Sequence, residues 1–394
     1  MNNQFDILII GASASGLACA INAKRLCPEK EIAILEALPK IGKKLLATGN
    51  GRCNLTNLNA LNHPYKNQKF AGACLKRYSP QRTLEFFRSL GLLTFTDDCS
   101  RVYPLSNTAT SVLDVLRFAA ESLNIHIFCD TKAQSVEKIN DVFIVNNSFR
   151  CKKLVVATGG CASPAQGSDG SGYILLKALG HSITELYPSL VQLTSPEKQK
   201  LRPLKGVRVH DAIIKIDNHE VRGELLFTDY GLSGIASMEI SQKIEGRDNL
   251  TASIDLVPSM SEKAIADFLK GVKLNASCML LGILPKAVSN AVLKQAKIDE
   301  SKSSNQISFK ELIKVSHIIK NFKLQIDGTK GFNFAQVTSG GARVSEFNRN
   351  TLESNLVPSL YCTGEILDVD GGCGGFNLQW AWSSGLTAGE QIVK

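Results

Sequence analysis

The stretch Asp6-Ile-Leu-Ile-Ile-Gly-Ala-Ser-Ala-Ser-Gly16 decides the fold of this chain, because it joins a short apolar run to a glycine turn and a helix. Residues 5–10 are typical of a buried strand, and residues 17–26 carry apolar side chains at helical spacing. A turn between such elements presents free backbone amides and the positive end of the helix dipole. The stretch therefore predicts a βαβ unit that binds a dinucleotide pyrophosphate.

The candidate cofactor-binding residues of this turn are Gly11, Ser13, Ala14, Ser15 and Gly16. Ser13 stands at the middle glycine of the G-x-G-x-x-G pattern, where the backbone approaches the pyrophosphate, and serine is small enough to keep that approach. A second strand at residues 31–35 leads to Glu36, whose carboxylate can accept hydrogen bonds from the adenosine ribose. The alternative is a glycine turn in a βαβ unit that binds no ligand.

A second candidate site is the stretch from Lys40 to Asn57, which combines glycines, cations and short amides. We predict a ligand loop rather than a packed helix or strand. Glycines let the backbone approach a flat ring or a phosphate, while cations and amides supply hydrogen bonds. A solvated basic turn is the alternative. The candidate residues here are Lys44, Gly51, Arg52, Asn54 and Thr56.

The last candidate stretch is Leu360-Tyr-Cys-Thr-Gly-Glu-Ile-Leu-Asp-Val-Asp-Gly-Gly-Cys-Gly-Gly-Phe-Asn-Leu-Gln-Trp-Ala-Trp382. It predicts a strand, an acidic turn and a helix that starts at residues 376–377. Backbone amides of residues 371–375 would meet the flavin pyrimidine edge, and the helix dipole would stabilise negative charge on the reduced ring. FAD would then lie between the two ends of the chain. The candidate residues are Gly364, Glu365, Asp370, Gly374, Gly375, Phe376, Asn377 and Gln379.

In combination, these segments resemble a family of bacterial flavoproteins, the HI0933-like or BaiN-like proteins, which includes aminoacetone oxidases and a bile-acid dehydro-intermediate reductase. The resemblance runs nearly end to end. It rests on the Gly11 to Gly16 turn, Gly49-Asn-Gly-Arg-Cys-Asn54, Val155-Val-Ala-Thr-Gly-Gly160, Phe227-Thr-Asp-Tyr-Gly-Leu-Ser-Gly234, Val337-Thr-Ser-Gly-Gly341, and Gly364-Glu365 through Trp382.

The resemblance implies an α/β fold with noncovalently bound FAD: a Rossmann-like domain of the two-dinucleotide-binding flavoprotein type, with an inserted β domain and a small helical domain. Tyr230 stands where a smaller residue is common in the family, which implies a different substrate pocket. Val136, on a predicted strand at residues 133–139, is a further expected neighbour of the cofactor. The cofactor neighbours that the resemblance implies are Glu36, Asn54, Thr158, Gly159, Gly364, Glu365, Asn377 and Gln379.

A chain of 394 residues is longer than one hydrophobic core usually supports. We predict a discontinuous FAD-binding domain at residues 1–181 and 331–394, a β-rich insertion at 182–258 and a helical subdomain at 259–330. The helices of that subdomain are predicted at residues 261–270, 277–284, 286–297 and 308–320. Because neither insertion carries a second G-x-G-x-x-G turn, we expect NAD(P)H, if used, to dock transiently.

The expected chemistry is hydride transfer between a small organic substrate and flavin N5. Tyr230, Arg52 and Cys373 are the catalytic candidates, and each also has an ordinary interpretation as a packing or turn residue. Two reactions stay open: oxidation of a small amine with oxygen as electron acceptor, and reduction of an activated carbon-carbon double bond with NAD(P)H as donor. A dehydrogenase that uses only a nicotinamide is a further alternative.

Composition sets the remaining expectations. The net charge of +9 raises RNA as a partner, but no run of five basic residues occurs, so we expect no nucleic-acid partner and keep an RNA-binding flavoprotein as the alternative. Six scattered histidines and eleven cysteines without a Cys-x-x-Cys pair predict no metal and reduced thiols. The N-terminal apolar run is too short to cross a bilayer. We expect a cytoplasmic enzyme.

Overall fold

The structure, a computed structural model, describes residues 3–394 and divides into two compact units. The first unit runs to Tyr187 and resumes over Gln336–Lys394, so it contains both ends of the described chain. The second unit is the inserted segment Pro188–Ala335. The division of that insertion into a β domain at 182–258 and a helical subdomain at 259–330 stays a prediction.

The strands, in chain order, are β1 Gln4–Ile10, β2 Ile32–Leu35, β3 Thr56–Asn57, β4 Thr94–Thr96, β5 Arg101–Pro104, β6 His126–Phe128, β7 Val136–Ile139, β8 Val142–Val145, β9 Phe149–Val156, β10 Tyr187–Ser189, β11 Leu193–Thr194, β12 Arg208–Ile216, β13 His219–Phe227, β14 Gly231–Ser233, β15 Leu250–Asp255, β16 Phe322–Ile326, β17 Gly328–Thr329, β18 Val337–Ser339 and β19 Leu360–Cys362.

The α-helices are α1 Ala14–Leu26, α2 Lys43–Ala47, α3 Gln68–Arg77, α4 Pro80–Ser89, α5 Ala109–Ser122, α6 Ser171–Ala178, α7 Lys198–Leu201, α8 Ile235–Lys243, α9 Glu262–Gly271, α10 Ala276–Met279, α11 Lys286–Ala296, α12 Phe309–Lys320 and α13 Phe376–Gln391. Short 3₁₀ helices lie at Thr48–Gly51, Pro164–Gln166, Arg202–Leu204, Ser304–Gln306, Val344–Glu346 and Gly364–Ile366.

The first unit is organised by a sheet in the order β6-β2-β1-β9-β8-β7, with β19 also pairing to β9. Strands β6, β2, β1, β9 and β19 run parallel, whereas β7 and β8 form antiparallel pairs at the other end of β9. The carboxyl ends of β1, β9 and β19 therefore meet at one edge of the sheet. The three sequence motifs that follow these strands are brought together there, which is where open α/β sheets bind ligands.

Helices α1 and α13 pack with close backbone contact, which joins the two ends of the chain. A Cβ atom on Gly385 would lie 2.3 Å from the carbonyl oxygen of Ser15, and one on Gly389 would lie 2.5 Å from that of Cys19. Only glycine permits this approach, and its four-residue spacing places both glycines on one face of α13. The C-terminal helix is thereby held against the helix that follows the glycine turn.

Most elements expected from the sequence are present, including the first strand and helix and the final helix. The range predicted to be β-rich contains the long hairpin of β12 and β13. The prediction of a loop throughout residues 40–57 was wrong in part, because α2 forms there and buries Leu45. The helix expected at residues 277–284 is only the short α10. Both errors arise because tertiary burial of a few apolar side chains sets the lengths of short helices.

The second unit contains an antiparallel sheet in the order β16-β15-β12-β13-β14-β11-β17. Its apolar face and helices α8, α9, α11 and α12 share one hydrophobic core, in which Phe227 and Phe322 are fully buried. Helix α12 begins with a capping box between Ser308 and Glu311. Strands β16 and β17 come from the range predicted to be helical. Strand β16 alternates buried and exposed residues because one face of the sheet packs on the core and the other faces solvent.

A buried polar network fixes the segment after α6 in the first unit. The Nδ1 atom of His181 lies 2.9 Å from a carboxylate oxygen of Glu346, and its Nε2 atom lies 3.0 Å from the hydroxyl of Ser354. That hydroxyl accepts hydrogen bonds from the backbone N–H groups of Leu356 and Val357. Because Ser354 is buried and holds a backbone turn, the three side chains form a structural link rather than a nucleophilic triad.

This network predicts a pH-dependent stability. Burial opposes ionisation of Glu346, but hydrogen bonds from Ser182 and the adjacent His181 lower its pKa overall. A lowered pKa contributes stability that is present above the ordinary value of about 4.3 and is lost as the pH falls through the folded-state value. We expect Glu346→Gln to lower the melting temperature most at pH 7 and to match wild type more closely below about pH 4.

Thermal unfolding of wild type and Glu346→Gln, recorded from pH 3 to pH 8, measures this difference. The matched control is Glu137→Gln on the exposed side of β7, which should change the melting temperature little at any pH. If the melting temperature of Glu346→Gln stays below that of wild type by the same amount across the pH range, ionisation of Glu346 does not contribute to stability as proposed.

Candidate active site

The glycine turn after β1 has the close packing that a pyrophosphate site requires. Gly11 has a φ of +109°, and a Cβ atom there would lie 2.5 Å from the carbonyl oxygen of Ala157. A Cβ atom on Gly16 would lie 2.0 Å from the carbonyl oxygen of Gly11. Helix α1 starts at Ala14, so its first backbone N–H groups, which lack intrahelical partners, face the turn. Ser13, Ala14 and Ser15 thus lie where the sequence analysis expects phosphate contacts.

Glu36 lies at the end of β2 and is 8% exposed. One of its carboxylate oxygens accepts a hydrogen bond from the backbone N–H of Ala12, at 2.9 Å, and the other accepts one from Leu38, also at 2.9 Å. The carboxylate therefore links the backbone of the glycine turn at Ala12 to the segment that follows β2. Each carboxylate oxygen has a second lone pair, so binding of the ribose by Glu36 stays a prediction that these contacts permit.

Three distant motifs meet at an ion pair. The Lys44 ammonium of α2 contacts the Glu365 carboxylate at 2.7 Å, and the other Glu365 oxygen accepts a hydrogen bond from the backbone N–H of Thr338 at 2.8 Å. The Thr338 hydroxyl in turn accepts hydrogen bonds from the backbone N–H groups of Cys161 and Ala162. Lys44 and Glu365 were both predicted as cofactor neighbours. Thr338 was not predicted as a site residue, although it lies in the segment Val337 to Gly341 on which the family resemblance partly rests.

Asn54 and Gly375 form a tight cradle between the second and last motifs. A Cβ atom on Gly375 would lie 2.7 Å from the side-chain oxygen of Asn54 and 2.7 Å from the carbonyl oxygen of Thr56. The Asn54 side chain is 9% exposed, and its oxygen has no hydrogen-bond partner among the described residues. A buried acceptor without a partner is costly, so this atom indicates a ligand donor at the cradle.

Gln379, in contrast, has a fully buried side chain whose hydrogen bonds all stay within the protein. Its side-chain oxygen accepts a hydrogen bond from the Thr56 hydroxyl. Its amide nitrogen lies 3.0 Å from the carbonyl oxygen of Tyr78, 2.9 Å from the Thr83 hydroxyl and 2.7 Å from the Ser383 hydroxyl, and these three acceptors share its two N–H groups. The side chains of Thr56 and Gln379 therefore anchor α13, and their prediction as cofactor neighbours rests on their position beside the cradle.

The glycine loop at residues 371–375 is shaped by side chains around it. The Asn377 amide accepts from the backbone N–H of Gly371 and donates to its carbonyl oxygen, both at 2.9 Å. His63 accepts a hydrogen bond from the backbone N–H of Gly372 and stacks on Phe376, with ring centroids 3.6 Å apart. The Tyr65 hydroxyl donates to the Phe376 carbonyl oxygen. His63 and Tyr65 were missed by the sequence analysis, which considered histidines only as metal ligands.

The acidic turn before this loop is neutralised by a lysine. The Lys66 ammonium contacts a carboxylate oxygen of Asp368 at 2.8 Å, and the Lys66 backbone N–H donates to the carbonyl oxygen of Asp370. Asp370 is buried and accepts a hydrogen bond from the Ser339 hydroxyl. The candidate Asp370 therefore contributes to a network that joins the β18 motif to the turn after β19. Lys66 had no recognisable signal in the sequence.

The thiols near the site are held in the protonated form. Burial raises the pKa of Cys53, in the second motif, to about 12. Burial and the nearby Glu365 carboxylate raise the pKa of Cys161. Neither side chain is therefore a thiolate nucleophile near neutral pH. The catalytic candidate Cys373 is half-buried in the glycine loop.

The remaining predicted site residues are placed on several elements of the two units. Arg52 is exposed and donates a hydrogen bond to Asn107, and its guanidinium lies 4.2 Å from the Tyr103 ring centroid. The remaining candidates of the first unit are Gly51, in the 3₁₀ turn after α2, Val136, at the start of β7, Thr158 and Gly159, just after β9, Gly364, after β19, and Gly374, in the glycine loop. Tyr230 belongs to the second unit.

These features fit FAD. The turn before α1 offers amides to a pyrophosphate, and the loop before α13 offers amides, a helix N-terminus and the unpartnered Asn54 oxygen to a polar ring edge. A Cβ atom on Gly364 would lie 2.6 Å from the Ser15 hydroxyl, which shows how closely the two ends approach. The chain also shows no helix, within residues 3–394, long and apolar enough to span a membrane, and no group of three metal-ligating side chains in that range.

The parallel sheet and the two glycine segments at its edge define a Rossmann-like FAD-binding oxidoreductase fold. The family profile described as HI0933-like protein Rossmann domain matches residues 5–391. The chain belongs to the HI0933-like family, and both the resemblance and the fold class expected from the sequence are confirmed.

Two relatives and one solved structure illustrate the relationship. A 3-dehydro-bile acid delta(4,6)-reductase from Clostridium scindens is 36% identical, with 98% of each chain covered. A ribosomal RNA dihydrouridine synthase from Haemophilus influenzae is 30% identical, with 100% of each chain covered. A 3-ketosteroid delta1-dehydrogenase from Sterolibacterium denitrificans, at 13% identity, a TM-score of 0.52 and 99% coverage of both chains, shows likeness of fold alone.

Proposed function

We propose that this protein is an FAD-dependent reductase of a carbon-carbon double bond conjugated to a carbonyl group, with NAD(P)H as the electron donor. The observation that carries the proposal is the full-length similarity to the bile-acid reductase. The name of the second relative points to the same chemistry, because dihydrouridine differs from uridine by reduction of a double bond conjugated to a carbonyl. Amine oxidation, the other reaction that the sequence left open, has no comparable support.

When bound, FAD supplies hydride transfer at its N5 atom, and the protein supplies binding, orientation and charge stabilisation. The glycine turn before α1 would bind the pyrophosphate through backbone N–H groups. The glycine loop and the positive end of α13 would stabilise negative charge on the pyrimidine side of the ring. Asn377 and His63 hold that loop in place. Asn54 would accept a hydrogen bond from the group bound in the cradle.

The sequence bears on how the proposed electron donor would bind. Neither inserted segment carries a second G-x-G-x-x-G turn, so we infer that NAD(P)H binds transiently and leaves before the substrate is reduced. In the overall reaction, NAD(P)H and one proton are consumed, the double bond gains two hydrogens, and NAD(P)⁺ is released. The proton consumed in the overall reaction comes from solvent.

An anaerobic titration tests the proposal. Purified holoprotein is mixed with NADPH or NADH while the oxidised flavin band is recorded, and an enone is then added to the reduced protein. We expect rapid bleaching by one nicotinamide, followed by recovery of the band when a 3-oxo-Δ4 steroid or a uridine oligonucleotide is added. The control is the corresponding saturated ketone, which should leave the protein reduced.

Three results would count against the proposal. A protein that binds no flavin contradicts the FAD assignment itself. A flavoprotein that neither nicotinamide reduces, but that an amine reduces, is an amine oxidase. Recovery of the flavin band with oxygen alone, and with neither unsaturated carbonyl compound, would also exclude the proposed acceptor class.

A further inference from the structure

A lysine in the second unit lies between two aromatic rings. The ammonium of Lys330 is 4.3 Å from the ring centroid of Tyr230 and 3.8 Å from that of Phe334. Phe334 is 51% exposed, and Tyr230 and Lys330 are half-buried. The charge of Lys330 thus faces two rings at the surface of the unit rather than a carboxylate. We call these three side chains the aromatic–lysine cluster.

The backbone on both sides of the cluster is rigidly held. The Thr228 hydroxyl accepts a hydrogen bond from the backbone N–H of Gly231 at 3.1 Å and donates to its carbonyl oxygen at 2.9 Å, which closes the turn that carries Tyr230. A Cβ atom on Gly231 would lie 2.0 Å from the carbonyl oxygen of Leu193, so this turn is pressed against β11. These contacts therefore hold the backbone that carries Tyr230.

The backbone of Lys330 is held beside β11 as well. Its backbone N–H donates to the carbonyl oxygen of Gln192, just before β11, at 3.0 Å. The following segment turns back at Gly331, where the backbone N–H of Phe334 donates to the Gly331 carbonyl oxygen. The motif that contains Tyr230 and the end of the inserted segment thus meet at β11, although one hundred residues separate Tyr230 from Lys330.

Such a cluster suits a flat ring that carries a carbonyl group. An ammonium held against aromatic faces still has N–H groups with which it can donate to a carbonyl oxygen. The exposed face of Phe334 offers a stacking surface, and burial of that face by a ligand ring is favourable.

We propose that Tyr230, Lys330 and Phe334 bind the conjugated carbonyl ring of the substrate, with Lys330 donating to the carbonyl oxygen and Phe334 stacking on the ring. This inference rests on the proposed function and names the residues that select its substrate. The shared ligand chemistry is a planar unsaturated carbonyl ring. A steroid-like small molecule and the uracil of an RNA are its two sources.

The positive charge of the second unit is relevant to RNA as the source of the ligand ring. Lys198 donates to the carbonyl oxygen of Tyr230 at 3.2 Å, and Lys205 pairs with Asp229 at 2.6 Å. Segment Pro188–Ala335 contains 21 Lys and Arg residues against 16 Asp and Glu residues. This excess would favour a ligand with phosphate groups, so RNA binding should weaken steeply with salt whereas steroid binding should not.

The test measures binding separately from turnover. Equilibrium dialysis of oxidised holoprotein against a radiolabelled 3-oxo-Δ4 steroid, and against a radiolabelled uridine oligonucleotide at two salt concentrations, gives Kd for each source. We expect Lys330→Met and Phe334→Ala to raise the Kd of the ligand that binds by about tenfold or more, or about 1.4 kcal/mol. Lys330→Arg, which keeps the charge and donors, should stay within about threefold of wild type.

The matched control is Lys270→Met. The Lys270 ammonium lies over the ring of Phe309 at 5.5 Å on the helices of the same unit, so this variant removes a comparable contact away from the cluster. It should change Kd less than about twofold. Flavin content and circular dichroism establish that each variant is folded, and Phe334→Ala removes an exposed side chain whose loss leaves the core intact.

The outcomes separate this inference from the proposed function. If wild type binds one ligand and Lys330→Met and Phe334→Ala bind it equally well, the cluster assignment is overturned while the reductase proposal stands. If wild type binds neither ligand, the cluster assignment is also overturned. If binding depends on the cluster but NAD(P)H never reduces the flavin, the proposed reaction fails and the binding site remains.

Discussion

Gly16→Ala is expected to yield protein that retains less than a tenth of the wild-type FAD. The added Cβ atom would lie 2.0 Å from the carbonyl oxygen of Gly11 and 3.3 Å from the Cβ atom of Ala157, so α1 must move away from the turn. Such overpacking typically costs about 1–3 kcal/mol, and here the displaced atoms include the backbone N–H groups that would bind the pyrophosphate. The ratio of flavin to protein absorbance in the purified protein measures the effect.

Gly72→Ala is the matched control for this substitution. Gly72 lies within α3, where a Cβ atom would meet nothing within 4 Å. Alanine at an open helical position should stabilise the protein by about 0.5–1 kcal/mol and leave the FAD content unchanged. Full FAD content in Gly16→Ala would show that the turn before α1 does not bind the cofactor.

Gln379→Leu is expected to lower the free energy of unfolding by about 3–5 kcal/mol, which is a large effect for one substitution. Leucine fills the space but removes the hydrogen bond that the buried amide accepts from Thr56 and those that its two N–H groups donate. The hydroxyls of Thr56 and Thr83 lose this partner, whereas the carbonyl oxygen of Tyr78 still accepts from the Ser383 hydroxyl. Each buried group left unsatisfied costs about 1–3 kcal/mol. Because Thr56 borders the Asn54–Gly375 cradle, FAD binding should weaken as well.

Urea unfolding with and without added FAD separates the two parts of this effect. Gln391→Leu, near the end of the same helix, is the control, because its amide contacts only the neighbouring Glu390 side chain. It should change the free energy of unfolding by less than about 0.5 kcal/mol. A Gln379→Leu protein within 1 kcal/mol of wild type would mean that the buried amide is not the anchor of α13.

The glycine turn and the strands and helix beside it could be predicted from the sequence because their signals are local. An apolar run, glycines at fixed spacing and a following helix determine backbone conformation over about a dozen residues. Gly11 illustrates this, since its φ of +109° requires glycine wherever the rest of the chain lies. The start of α13 at Phe376, after two glycines with positive φ, was predictable for the same reason.

The partners of the site side chains could not be predicted, since each depends on residues distant in the sequence. Lys44 and Glu365 were both expected near FAD, but their ion pair joins residues 321 positions apart. His63 has no local pattern that distinguishes it from a surface histidine, and it becomes a support of the glycine loop only when Phe376 is stacked beneath it. Gln379 was expected beside the cofactor, but its side chain is fully buried and its amide forms hydrogen bonds with other residues of the protein.

The sequence by itself determined the family, the Rossmann-like fold and the glycine segments at both ends, since these depend on short-range steric limits and hydrophobic periodicity. The tertiary structure alone decided which polar groups form hydrogen bonds within the protein and which, like the Asn54 oxygen, have no partner among the described residues. It also decided that Lys330 lies between Tyr230 and Phe334. The reason is physical: backbone conformation is set mainly by neighbours in sequence, whereas burial and hydrogen-bond partners are set by neighbours in space.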